Sequence, residues 1–140
     1  MSRQVVEYVV LNAKGATGAG IAIPCRDYRH AIFSFATDGG GDAALTVKFQ
    51  GSIGAGVKPN VINTAPAFGS AQSVTNHWDY IEVIDLEDGS AIDGDTGVAV
   101  ATADNYRLLE ANINGLDFVC AVVTARTAGE VTVKVKLYND

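Results

Sequence analysis

Cysteine, proline, tryptophan and methionine are scarce, with two Cys, three Pro, one Trp and one Met in 140 residues. Cys25 and Cys120 lie far apart and fit neither a CxxC motif nor a Cys/His ligand spacing, which argues against a disulfide framework or a zinc site. No segment reaches the ~18 apolar residues needed to cross a bilayer. The start, MSRQVVEY, holds no apolar run of signal-peptide length. Synthesis in a cytoplasm is therefore the expectation, with no membrane partner. Charged side chains are only 19% of the chain and sum to -6. The mean field repels phosphates, and no cationic cluster is denser than Lys134 with Lys136 or Arg26 with Arg29. Direct nucleic-acid binding is not expected.

Catalytic motifs are equally thin. The hexads GATGAG (Gly15–Gly20) and GSIGAG (Gly51–Gly56) reverse the order of the dinucleotide fingerprint, and neither opens a helix that would present amides to a phosphate. There is no GxxxxGK[ST] and no GxSxG. His30 and His77 are the only imidazole bases, and Cys25 near His30 shows no feature that would stabilise a thiolate. Glu82, Asp85 and Glu87 lack the aromatic platforms that a glycosidase carboxylate pair needs. The expectation is a protein with no catalytic residues, no cofactor and no bound metal, acting through its surfaces.

What is present suits one all-β domain spanning residues 1–140. Apolar residues make up 48% of the chain, enough for a single core. Short runs of β-branched and aromatic residues alternate with polar ones and are punctuated by Gly, Asp, Asn and Pro. The strands predicted are Gln4–Leu11, Gly20–Pro24, His30–Ala36, Ala44–Gln50, Trp78–Leu86, Val98–Thr102, Tyr106–Ile113, Leu116–Arg126 and Glu130–Tyr138. Asn114–Gly115 has the composition of a two-residue type I′ turn. Pairing outward from it sets Ile113 opposite Leu116, Ala111 opposite Phe118 and Leu109 opposite Cys120. The last strand buries Val131, Val133, Val135 and Leu137, which predicts a three-strand meander at the C-terminal end. The facing surface would come from Leu45, Val47 and Phe49 with Phe33 and Phe35. An antiparallel β-sandwich of about eight or nine strands follows, with a short N-terminal arm (about 1–10) and a long loop (about 51–75).

Two local features suggest ligands. Asp85–Asp95, DLEDGSAIDGD, places several oxygens close together as a calcium loop does, although Asp88–Gly89 and Asp93–Gly94 read more simply as turns, like Asp38 and Asp42 around their glycines. His77-Trp78-Asp79-Tyr80 is either an aromatic strand entry or a stacking surface for a sugar.

The start RQVVEYVVL, the Ala/Gly-rich connectors, the strand WDYIEVIDL and the ending RLLEANINGLDFVCAVVTARTAGEVTVKVKLY together resemble β-sandwich structural proteins of tailed bacteriophages, most closely jelly-roll capsid decoration (cement) proteins. That resemblance implies a virion protein that binds the major capsid protein, or another virion protein, on the outside of a head. It also implies a homo-oligomer, with a trimer favoured. Ser2–Leu11 and Gly51–Thr75 are the expected contact segments. The alternative from another class is a carbohydrate-binding or other tail, fibre or connector module using Trp78, Tyr80 and a loop carboxylate.

Overall fold

The computed structural model describes residues 5–38, 43–53, 78–100 and 106–139. Among them the chain forms twelve strands: β1 (Val5–Lys14), β2 (Gly18–Ala19), β3 (Ile23–Pro24), β4 (His30–Asp38), β5 (Ala44–Ser52), β6 (Trp78–Tyr80), β7 (Val83–Asp85), β8 (Ala91–Ile92), β9 (Val98–Val100), β10 (Tyr106–Asn112), β11 (Phe118–Ala128) and β12 (Glu130–Tyr138). All pairings are antiparallel. The first sheet runs β1-β12-β4-β10-β7-β8; the second runs β2-β11-β5-β6, with β3 also on β11 and β9 also on β5.

These pairings describe a jelly roll. The first strand lies beside the last (β1 with β12), β2 and β3 beside β11, β4 beside β10, and β5 beside β6 and β9. A long antiparallel ribbon with that pairing, rolled on itself, gives two facing sheets and buries one side of each.

The strands exceed the expected eight or nine because two of them break and because β8 forms where no strand was predicted. Between β2 and β3 the Gly20 amide still bonds to Ala121 O in the second sheet, but the Ile21 amide turns to Val10 O at a bulge in β1. The predicted strand Trp78–Leu86 also divides. After Ile81 the chain leaves the second sheet and adds β7 and β8 to the first, returning as β9. Residues from Val5 onward are not a free arm, because β1 is paired along its length with β12. The predicted long loop begins inside β5, and its residues 54–75 lie outside the described ones.

The meander is corrected as well. β10 and β12 belong to the first sheet and β11 to the second. The cause is turn geometry. Gly115 has φ +93°, but Ala13 is the only non-glycine with positive φ among the described residues, so Asn114 does not meet the type I′ requirement. The turn instead closes through Leu116 N donating to Ile113 O at 2.9 Å. A type II-like arrangement of this kind splays its flanking strands. Ala111 consequently faces Ala31, and Cys120 faces Gln50. The β11–β12 turn pivots at Gly129, φ +89°, where a Cβ would lie 2.8 Å from that of Ala43.

The alternation read from the sequence does fill the core. Phe33, Phe35, Leu109, Val133, Val135 and Leu137 point inward from the first sheet, and Val47, Phe49, Val119, Ala121 and Val123 from the second; all are buried. Phe33 and Phe49 meet across the sheets with ring centroids 4.5 Å apart. Truncating such a ring to Ala costs about 3–5 kcal/mol.

Candidate interaction surfaces

The outward face of the first sheet is built from the polar phase of its strands, yet it is not uniformly polar. Register places Glu7, Lys136, Ile32 and Glu110 in one row across β1, β12, β4 and β10, with Ile84 of β7 beyond. The next row is Val9, Lys134, Ser34 and Leu108. Val9 and Leu108 are each 42% exposed, and Tyr106 further along β10 is 64% exposed. Between the rows is a shallow depression of about 420 Å³, walled mainly by Val9, Ile32, Leu108 and the stems of Lys134 and Lys136. Lys136 approaches Glu7 at 3.8 Å, an exposed and weak pair. Lys134 has no salt-bridge partner among the described residues. Two lysines and two glutamates make these two rows neutral in a chain of net charge -6, while Asp38 and Glu130 stand at the far end of the same face.

β10 inverts the usual pattern. Tyr106 and Leu108 face outward, whereas Arg107 shares the inward phase of Leu109 and Ala111. Arg107 reaches Asp85, whose side chain is 6% exposed. The other Asp85 oxygen accepts the Glu87 amide at 2.9 Å. That amide and the Arg107 guanidinium hold the Asp85 carboxyl below its usual range. Sequence reasoning missed this pair, although the burial phase assigned to Leu109 and Ala111 also put Arg107 on the core side.

The acidic stretch divides into turns. Asp88 accepts from the Ser90 hydroxyl and amide, which lower its carboxyl from the usual range, and Asp93 accepts from the Asp95 amide at 2.8 Å. With Asp85, three of its carboxylates thus accept from an amide two residues on, as Asx-turns do, and no acidic cluster among the described residues has the geometry to hold a metal ion. Asp42 lies outside the described residues.

The aromatic pair is not presented as a stacking platform. Trp78 is 3% exposed, and Lys48 Nζ sits 4.8 Å above the Tyr80 ring. His77 lies outside the described residues. Cys25 and His30 form no reactive couple. Burial, then the Asp117 charge, pushes the Cys25 thiol up to about 12, and His30 stacks on Tyr138 at 5.2 Å.

Arg26 and Arg29, one of the two cationic pairs noted in the sequence, lie in a polar depression of about 450 Å³ at one end of the sandwich. Asp27, Tyr28, Asn114 and Asn139 complete its lining, brought together from the β3–β4 loop, the β10–β11 turn and the residue after β12. No sequence spacing links these positions; only the rolled topology does.

No family model matches the sequence, and no curated protein matches it. Solved structures do. The SPBc2 prophage-derived protein YomS superposes with a TM-score of 0.62 at 17% identity, over 99% of this chain and 96% of that one. The PBSX exported protein XepA superposes with a TM-score of 0.66 at 16% identity, over 99% of this chain but 39% of its own. The likeness at these identities is one of fold: the chain is an all-β antiparallel sandwich that shares its architecture with YomS and with the matched part of XepA.

Proposed function

We propose that this chain is a non-enzymatic structural protein of a phage particle, and specifically a decoration protein that docks on the outer surface of the head. The observation that carries the reading is the outward face of the first sheet, where Val9, Ile32, Ile84 and Leu108 stand exposed or half-exposed in two rows whose lysines and glutamates balance. An exposed apolar patch with a polar rim is the usual form of a protein docking site. The prophage origin of YomS supports the phage setting.

The occupant is the major capsid protein. It would offer apolar groups to Leu108 and Ile32 and a carboxylate to Lys134, whose charge has no salt-bridge partner among the described residues. Copies gathered as trimers over local symmetry axes would multiply a modest affinity per copy.

The test is cryo-electron microscopy of particles assembled with the chain, alongside separated heads and tails. Density for the sandwich over the outer capsid is expected, with the first sheet facing inward. Leu108→Lys and Lys134→Glu should each remove the chain from heads while changing stability by about 1 kcal/mol or less. Chain found only on tails, or retained on heads by both variants, overturns the reading.

A further inference from the structure

We propose that the depression at the loop end of the sandwich, lined by Arg26, Asp27, Tyr28, Arg29, Asn114 and Asn139, is a binding site for a neutral glycan.

Its framework is rigid. The Cys25 amide bonds to Asp117 O at 2.8 Å, the Tyr28 amide to Cys25 O at 3.0 Å, the Arg29 amide to Tyr138 O at 3.3 Å, and the Ile113 amide to Arg29 O at 3.1 Å. The loop is therefore tied to β12, to the end of β10 and to the β10–β11 turn. Arg26 Nε donates to Asp117 Oδ1 at 3.0 Å and secures the turn again. Tyr28 is packed against the core, which fixes one wall. A backbone fixed in this way loses little freedom when a ligand arrives.

The side chains on that framework are exposed or half-buried and largely unused. Among the described residues, the side chains of Asp27, Arg29, Asn114 and Asn139 have no hydrogen-bond partner, and Arg26 keeps its two terminal nitrogens free. Donors and acceptors are interleaved: guanidinium and amide N–H groups beside a carboxylate, amide carbonyls and a phenol. Each sugar hydroxyl both donates and accepts, so neighbouring hydroxyls on a ring match a lining of this kind.

Charge selects among ligands. Arg26 and Arg29 are offset by Asp27 and by Asp117, the partner of Arg26. That leaves no local field for an anion in a chain that is already negative overall. Among the described residues, Tyr28 is the only aromatic or aliphatic side chain of the lining, so a peptide anchored by apolar residues finds little to hold it here. A polar, uncharged, hydroxyl-rich ligand remains.

The experiment is a screen of immobilised oligosaccharides: neutral hexose, N-acetylhexosamine and 6-deoxyhexose chains, with sialylated and phosphorylated chains for comparison. The strongest neutral binder is then titrated into isotope-labelled protein. Binding to a neutral oligosaccharide is expected, with amide shifts concentrated at residues 26–29 and 113–117 and no loss in high salt. Asp27→Ala with Arg29→Ala, two exposed positions whose backbone bonds are retained, should weaken it about tenfold or more at an unchanged thermal midpoint. Leu108→Lys should leave it intact, which separates this site from head docking. Failure of every neutral chain to bind, binding restricted to the anionic chains, or full binding by the double variant overturns the proposal.

Discussion

Arg107 and Asp85 pair on the core-facing side of the first sheet, where β10 holds the inserted β7–β8 hairpin. Asp85→Asn would leave the half-buried guanidinium without its counter-charge, and an expected cost of about 1–3 kcal/mol at neutral pH follows. The pH dependence has a definite sign. The folded carboxyl titrates below its ordinary value, so its stabilisation is complete above the unfolded pKa near ~4. It is lost as the pH falls through the folded value. Denaturant midpoints measured from pH 6 downward should converge for wild type and Asp85→Asn in acid. Parallel curves throughout would show that the pair does not contribute.

Two turn glycines are needed for different reasons. A side chain at Gly115, φ +93°, meets nothing within 4 Å, so Gly115→Ala should cost only the left-handed backbone penalty of about 1–2 kcal/mol. Gly129→Ala adds the collision with the buried Ala43 to the same penalty. Thermal unfolding should rank Gly129→Ala clearly below Gly115→Ala. Equal midpoints would mean that the β11–β12 turn relaxes freely.

Burial raises the thiols of both Cys25 and Cys120 to about 12. At pH 8 the thiolate fraction is then on the order of one in ten thousand, and thiolate is the reacting form. Native protein should ignore a chromogenic disulfide reagent over hours and react at both cysteines once denaturant is added. Prompt labelling of either cysteine in the native state would contradict the burial described.

Gln50 is fully buried on the second sheet, and among the described residues neither polar atom of its amide has a hydrogen-bond partner. Removing an unsatisfied polar group in favour of an apolar one of similar size relieves a desolvation cost. Gln50→Leu should raise stability by about 1 kcal/mol in urea unfolding, whereas a clear loss would reveal a partner for the amide.

Much of the sandwich was legible because period-2 alternation is a local property. Phe33 and Phe35, Val47 and Phe49, and Val131, Val133, Val135 and Leu137 show their core phase within a few residues, and the structure buries all of them. Strand partnership is not local. Asn114–Gly115 carries the composition of a tight hairpin, but β4 and β5, more than sixty residues upstream, are the neighbours that β10 and β11 take. Composition also did not reveal that the Asn114 backbone avoids positive φ.

The candidate surfaces were harder to read for the same reason. Arg26 with Arg29 and Lys134 with Lys136 were visible as cationic pairs, whereas their surroundings are assembled by topology from distant segments. Trp78 looked available for stacking because a sequence shows an aromatic residue without showing what buries it.

Because Val5 lies opposite Tyr138, and β12 separates β1 from β4, the first sheet has no middle until the last strand has been synthesised. A nascent chain emerging from the ribosome would carry β1 and β4 as unjoined edges for most of translation, with their apolar sides uncovered. Native pairing must then close the longest loops in the molecule, which makes folding slow. The half-made protein is the form most exposed to aggregation and most in need of a chaperone.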